Sequence, residues 1–418
     1  MSSSEKHHDS KKNKGVCVHN VFSFLDISAL LEPRQKALWS SAQTIKLRIR
    51  SDHVMENSVV YYIAELVERM NSLQGLQQFH LNIGGQRGRF GAAALASVLR
   101  VSRRLVSLDI GSGSIYGGTR DLAEALRHHQ GLESATFLDC RAFDEDGNDL
   151  LSLVQALSEN PSLRHLSLDS TVLKTTSGNV SNILAAFGRS RHLQTLKLRN
   201  CRDSELQDED VLPLLKEVKT NKTMKELCIH DAASTASRFG CTLSTALGLM
   251  VCFNTTLETL LLSLQPESVS PVINGLRFNK TIKRLQLHSH QDCLESIMET
   301  LEEVLRDDNY ILEHCQLGIR PSSKMDYYLT LNCLERHFLL TSETATENDW
   351  INTISHQDQA GIVLYFMMKN PALFCNYQMT STGTSSINDS SGIKRRLASS
   401  DTTSGGEFSL GSSKRLRR

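Results

Sequence analysis

The sequence predicts an α/β solenoid of about ten strand–helix repeats, stacked so that parallel strands line one face. Two observations carry that expectation. The stretch Leu193-Gln-Thr-Leu196-Lys-Leu198-Arg-Asn-Cys201 places Leu196 and Leu198 on one face of a short strand and Thr195, Lys197 and Arg199 on the other. Copies begin at Leu76, Leu105, Leu132, Leu163, Leu193, Met224, Leu257, Ile282 and Leu312, spaced by 25 to 33 residues, and an earlier unit uses Leu47 and Ile49. A single unit cannot bury its apolar face alone, so each requires a neighbour on either side.

Between the strand signatures lie helical patterns. Leu122-Ala-Glu-Ala-Leu126, Leu150-Leu-Ser-Leu153-Val-Gln-Ala-Leu157 and Val211-Leu-Pro-Leu214-Leu-Lys-Glu-Val218 repeat apolar residues three and four apart. Pro213 is expected in a first helical turn, where its missing N–H costs nothing. The helices run into a recurring turn: Asn160-Pro-Ser-Leu163, Asn221-Lys-Thr-Met224, Asn254-Thr-Thr-Leu257 and Asn279-Lys-Thr-Ile282. Asparagine suits such a junction because it tolerates the left-handed conformation that often ends a helix.

The pattern L-x-x-L-x-L-x-x-C identifies the unit as a leucine-rich repeat. Over residues 44–320 the chain resembles the ribonuclease-inhibitor-like class, whose units alternate strand with helix. Parallel strands stack about 4.8 Å apart and helices about 8–10 Å apart, so the helix side is wider and the solenoid bends into a horseshoe with the strands concave. The family's asparagine-or-cysteine corner is held by Gly84, Gly113, Cys140, Thr171, Cys201, Ala232, Gln265, His290 and Arg320. Only Cys140 and Cys201 match, which predicts uneven loops there.

Residues 1–20, rich in Ser, Lys and His, read as a disordered arm. Residues 21–43, with Phe22, Phe24, Leu25, Ile27 and Trp39, read as an N-terminal cap; an F-box-like adaptor helix is the alternative. Residues 321–375 read as a helical C-terminal cap. Residues 376–418 hold 16 Ser or Thr and read as a disordered tail. That tail has seven Lys or Arg against three acids, and the first twenty residues have four lysines against two acids. Since the chain sums to zero, residues 21–375 carry an excess of six acids. Lys394, Arg395 and Arg396, with Lys414, Arg415, Arg417 and Arg418, form two basic groups of nuclear-localisation type. Ser399 lies where basophilic kinases act, and a phosphate there would add about −1.5 to −2 charge.

The patterns of common chemistry are mostly missing. There is no G-x-x-x-x-G-K-[ST], H-E-x-x-H or G-x-S-x-G, so no cofactor is expected. The ten cysteines include no C-x-x-C pair and read as reduced thiols of the cytoplasm or nucleus. The first fifteen residues are polar, unlike a secretory signal, and the apolar run from Gly361 to Met368 is too short to span a bilayer. Gly84–Gly91 and Gly111–Gly118 read as tight turns rather than phosphate cradles. The acidic run from Asp144 to Asp149 reads as helix capping, because it lacks the final glutamate of a calcium loop. His288, His290 and Cys293 lack a fourth metal ligand. The sequons at Asn221, Asn254 and Asn279 are not expected to carry glycans.

The candidate binding surface is the outward side of the strands. Its charged and histidine positions are Lys46, Arg48 and Arg50, then His80, Asp109, His165 and Asp169, then Lys197, Arg199, Glu226 and His230, and last Arg284, His288 and His314. Six Lys or Arg against three acids make it basic, and five of the chain's 15 histidines fall on it. The expected function is a non-enzymatic scaffold whose concave face binds an acidic protein surface or segment. Affinity is expected to rise below a histidine pKa of about 6.5. Two alternatives remain open. One resembles the leucine-rich GTPase activator of Ran, with an arginine finger among Arg87, Arg89, Arg141 and Arg202. The other is a substrate-recognition adaptor of a ubiquitin ligase. Nucleic acid is not an expected partner, because neither basic group is interleaved with stacking aromatics.

Overall fold

The computed structural model describes residues 16–21, 43–50, 65, 68, 78–84, 88–102, 104–111, 113–116, 119–138, 141–142, 148–169, 180–199, 208–230, 241–264, 266–288, 294–317, 321–333 and 368. The chain divides into two compact units, Met1–Ile362 and Val363–Arg418.

Among the described residues of the first unit, one parallel sheet of eleven strands runs in chain order. It begins with β1 (Val16–Val21), β2 (Thr44–Arg50) and β3 (Gln78–Gly84). It continues through β5 (Leu105–Gly111), β7 (Ser134–Leu138), β9 (His165–Asp169) and β10 (Thr195–Arg199). It ends with β11 (Glu226–His230), β12 (Thr259–Ser263), β13 (Arg284–His288) and β14 (His314–Gln316). Helices α1 (Ala92–Val101), α2 (Thr119–His128), α3 (Asn148–Glu159), α4 (Val180–Arg189) and α5 (Asp208–Val218) lie between successive strands. They are followed by α6 (Cys241–Phe253), α7 (Pro266–Leu276), α8 (Leu294–Asp307) and α9 (Ser323–Cys333). This alternation, with the strands in parallel register apart from one shift between Phe79 and His80 in the β3–β5 pairing, is a leucine-rich-repeat solenoid.

The leucine spacing sets the core. Leu193, Leu196 and Leu198 are at most 2% exposed, as are their counterparts Leu163, Leu166 and Leu168, and Leu257, Leu260 and Leu262. Each such side chain withdrawn from water contributes about 1.5–3 kcal/mol. In β10 the burial alternates so that Thr195, Lys197 and Arg199 stay partly exposed. Helical apolar residues meet the strand leucines in one continuous core.

The sheet holds one strand more than the ten expected. β1 pairs with β2 in parallel from Val16↔Thr44 to Val21↔Ile49. Residues 16–20 of the segment read as a disordered arm therefore belong to a strand, and Val-Cys-Val-His-Asn-Val is rich in β-branched residues that favour strands. The loops read as tight turns also differ. β4 (Gly88–Gly91), β6 (Gly113–Tyr116) and β8 (Arg141–Ala142) pair as a second, three-stranded parallel sheet. Loops leaving stacked strands sit one strand spacing apart, so they can extend the ladder. Pro213 is not in a first turn: the acidic start Asp208-Glu209-Asp210 extends α5 upstream and leaves the proline inside the helix. Pro271 lies inside α7 at the same place relative to the following asparagine turn.

The recurring asparagines form the second organising element. Asn279 Nδ2 donates to the carbonyls of Val251 (2.7 Å) and Asn254 (3.0 Å), and its Oδ1 accepts from the N–H groups of Thr281 (2.9 Å) and Ile282 (2.7 Å). Asn160, Asn221, Asn254 and Asn309 repeat this arrangement, and all five are buried. Their role is thus a buried hydrogen-bond ladder between repeats rather than the tolerance of a left-handed turn. The sequon threonine has its own part: Thr223 and Thr256 hydroxyls donate to the carbonyls of Ser190 and Asn221 in the preceding repeat. Asn221, Asn254 and Asn279 are therefore sealed against glycosylation in the folded chain.

Candidate functional site

The strand register gathers residues about 30 positions apart into rows across the outward face of the sheet. One row runs Lys46, His80, Ser107, Ser134, His165, Thr195, Glu226, Thr259, Arg284 and His314. The next contains Arg48, Asn82, Asp109, Thr136, Ser167, Lys197 and Cys228. A third contains Asp169, Arg199 and His230, then Ser263 beside His288. Leaving aside Arg48 and Arg50, the predicted strand residues thus fall on one face of the sheet. The side chains of Arg48 and Arg50, together with residues 22–42, His290, Cys293 and both basic groups of the tail, lie outside the described residues.

The face is less basic than its composition suggests. Lys197 Nζ stands 2.8 Å from Glu226 Oε1, both about 30% exposed, so this lysine is largely compensated. The Arg199 guanidinium is hydrogen-bonded to the Cys228 thiol and attracted by Asp169 and Glu226, which together hold it firmly in its charged form. Burial pushes the Cys228 thiol up, against the pull of Arg199. Cys228 therefore packs at 1% exposure on an outward position, beside the arginine. Sequence spacing alone treats that position as solvent-facing.

Three of the five histidines on this face have side-chain partners. His165 Nδ1 and Thr195 Oγ1 share a hydrogen bond at 3.0 Å, and His230 Nδ1 and Ser263 Oγ share one at 2.6 Å. Gln286 Nε2 lies 2.9 Å from His288 Nε2, and the rings of His230 and His288 stand 4.4 Å apart, centroid to centroid. Burial lowers the pKa of His288. His80 is lowered first by burial and then by the Lys46 cation, against the opposing pull of Asp109. Both titrate below the ordinary 6.5, so the acidic window expected for these histidines moves downward. Arg284 and His314 remain exposed at the far end of the first row.

A charge column at the strand entrances went unread in the sequence, since its partners are about 30 residues apart. Glu258 and Thr259 N–H groups both donate to Lys225 O, Lys283 and Arg284 to Glu258 O, and Glu313 and His314 to Lys283 O. Along this column Lys225 pairs with Glu258 at 3.4 Å and Lys283 with Glu313 at 3.1 Å. Among the described residues, no group of three or more His, Cys, Asp or Glu is placed to hold a metal ion. No helix among them is long and apolar enough to cross a membrane.

The architecture defines a leucine-rich-repeat protein whose parallel strands share one continuous face. No family model matches the chain, and no curated protein matches it. Among solved structures it is similar to the leucine-rich repeat-containing protein LegL7 from Legionella pneumophila, at 11% identity and a TM-score of 0.40, covering 68% of this chain and 89% of that one. It is also similar to an internalin from Listeria monocytogenes (12% identity, TM-score 0.32, 67% and 82% covered). A third similarity is to leiomodin-1 actin-binding site 2 (15% identity, TM-score 0.33, 39% and 93% covered).

Proposed function

We propose that the chain is a protein-binding scaffold, without an enzymatic role of its own, whose strand face docks an acidic segment of a partner. The observation that supports this reading is the pairing of Lys46 with His80. The register sets Lys46 beside His80, and after burial the Lys46 cation is the next cause holding that histidine below its ordinary range, ahead of the opposing Asp109. In the sequence Arg48 and Arg50 follow Lys46 at alternate positions of the same strand. Farther along, Lys197 and Arg199 are already matched by Glu226 and Asp169, so they set register more than affinity. The basic tail suits import into the nucleus, where such a partner would be met.

Affinity capture with the full chain, beside a variant with Lys46→Ser, Arg48→Ser and Arg50→Ser, tests the reading. A partner held by the first and lost by the second supports it. Equal capture by both would move recognition off the strand face.

A further inference from the structure

Around the turns that end α5 to α8 the side chains pass from lysine to apolar to acidic, although α5 also opens on Asp208, Glu209 and Asp210. Lys216 and Lys222 are exposed and Lys219 half-buried on α5 and the turn after it. Helix α6 contains no charged residue, and exposes Leu249 at 45% and Phe253 at 55%. Phe278, just beyond α7, is 67% exposed. Helix α8 carries Glu295, Glu299, Glu302, Glu303 and Asp307 against Arg306 alone, with Glu299 and Glu303 exposed.

These features form one patch. Phe253 and Phe278 each directly precede a ladder asparagine, and Asn279 is bonded to Asn254, so both rings emerge from equivalent, stacked turns. Leu249 lies one helical turn before Phe253 on the same face. Lys219 Nζ stands 5.0 Å from the Phe253 ring centroid and closes one side. On the other side Arg277, the neighbour of Phe278, is bonded to Asp308 and lies 3.6 Å from Glu303, and the exposed Lys280 donates to Asp308 O; the acidic helix therefore stands beside the patch with Glu299 beyond these cations. Three of the five large exposed hydrophobics among the described residues lie on these two adjacent repeats, as at interaction sites.

We propose that this surface joins two copies of the chain about a two-fold axis passing close to Phe253 and Phe278. Under such a rotation a surface faces itself, so its apolar centre meets its own image. The lysine flank of each copy then lies over the acidic flank of the other. The order cation, apolar, anion is self-complementary under this operation. A partner of one charge sign matches only one flank: the chain's own basic tail opposes the lysines, and a nucleic acid is repelled by α8. The surface is separate from the strand face, so the two readings stand or fall independently.

Sedimentation velocity of the full chain, from about 1 to 100 μM, is the test. The expected result is a concentration-dependent dimer. Phe253→Ser with Phe278→Ser is expected to raise its dissociation constant at least about tenfold. Both sites are exposed, and an unchanged thermal transition confirms folding. Lys219→Glu with Lys222→Glu is expected to be monomeric, as is Glu299→Lys with Glu303→Lys, while an equimolar mixture of the two restores the dimer. A chain that stays monomeric throughout overturns the proposal and assigns the patch to a different protein. So does a dimer indifferent to the phenylalanine changes, or a mixture that fails to reassociate.

Discussion

Asn279 reaches one repeat back to bond the carbonyl of Asn254 at 3.0 Å while holding its own turn through the N–H of Ile282 at 2.7 Å. One side chain thus satisfies backbone groups of two consecutive repeats at a buried helix end, where they would otherwise be orphaned. Asn254→Ala or Asn279→Ala leaves buried donors and acceptors without partners. Each is expected to cost about 2–3 kcal/mol in urea unfolding. A change of under about 0.5 kcal/mol, typical of a surface site, would remove the ladder's stabilising role.

His129 stands in the ladder position of an earlier repeat. Its Nε2 lies 2.8 Å from Ser102 O, and its Nδ1 accepts from the Gly131 N–H at 3.2 Å, so the neutral ring imitates asparagine. Burial, chiefly, holds its pKa below 6.5, with the Ser102 carbonyl opposing. The folded state then binds fewer protons than the unfolded one, so this contribution is complete above about 6.5 and is lost as pH falls below it. Thermal melts from pH 7.5 to 5 are expected to show that loss, and His129→Asn to reduce it. Identical pH profiles for the two chains would exclude His129 as the source.

Helix spacing depends on glycine at two contacts. A Cβ on Gly275 would stand 2.6 Å from Gly248 O, and one on Gly248 would stand 2.7 Å from Pro271 O. Both obstacles are backbone atoms, so α6 and α7 would have to separate. Gly248→Ala and Gly275→Ala are each expected to destabilise by about 1–3 kcal/mol, despite alanine's better helix propensity. A stabilised variant in chemical denaturation would show that the helices part freely.

Glu226 restrains the basic side of the strand face. Replacing it with glutamine frees Lys197 and removes one of the charges facing Arg199. An acidic partner obtained by capture is expected to bind Glu226→Gln about two- to tenfold more tightly at low salt, with the gain shrinking as salt rises. Weaker binding in a calorimetric titration would mean that the carboxylate itself contacts the partner.

Two thiols should be inert. Burial raises Cys228 and pushes Cys315 up to about 12. Alkylation at pH 8, read peptide by peptide by mass spectrometry, is expected to label both only after denaturation. Rapid labelling of Cys228 in the native chain would show that burial does not protect it.

By itself the sequence determined the repeat, the parallel order of ten strands and the burial of leucines such as Leu193, Leu196 and Leu198. Those follow from spacings of two and three residues, which place side chains on a face whatever the neighbours are. Tertiary structure decided what depends on residues about 30 apart. β1 joined the sheet because β2 offered an open edge, and β4, β6 and β8 paired because stacking brought their loops to strand spacing. The asparagines, read one turn at a time, suggested a backbone conformation, whereas only the next repeat supplies the carbonyls that make them a ladder. Lys197, Arg199 and Cys228 belong together for the same reason: cross-strand register, not chain order, sets which charges meet and cancel.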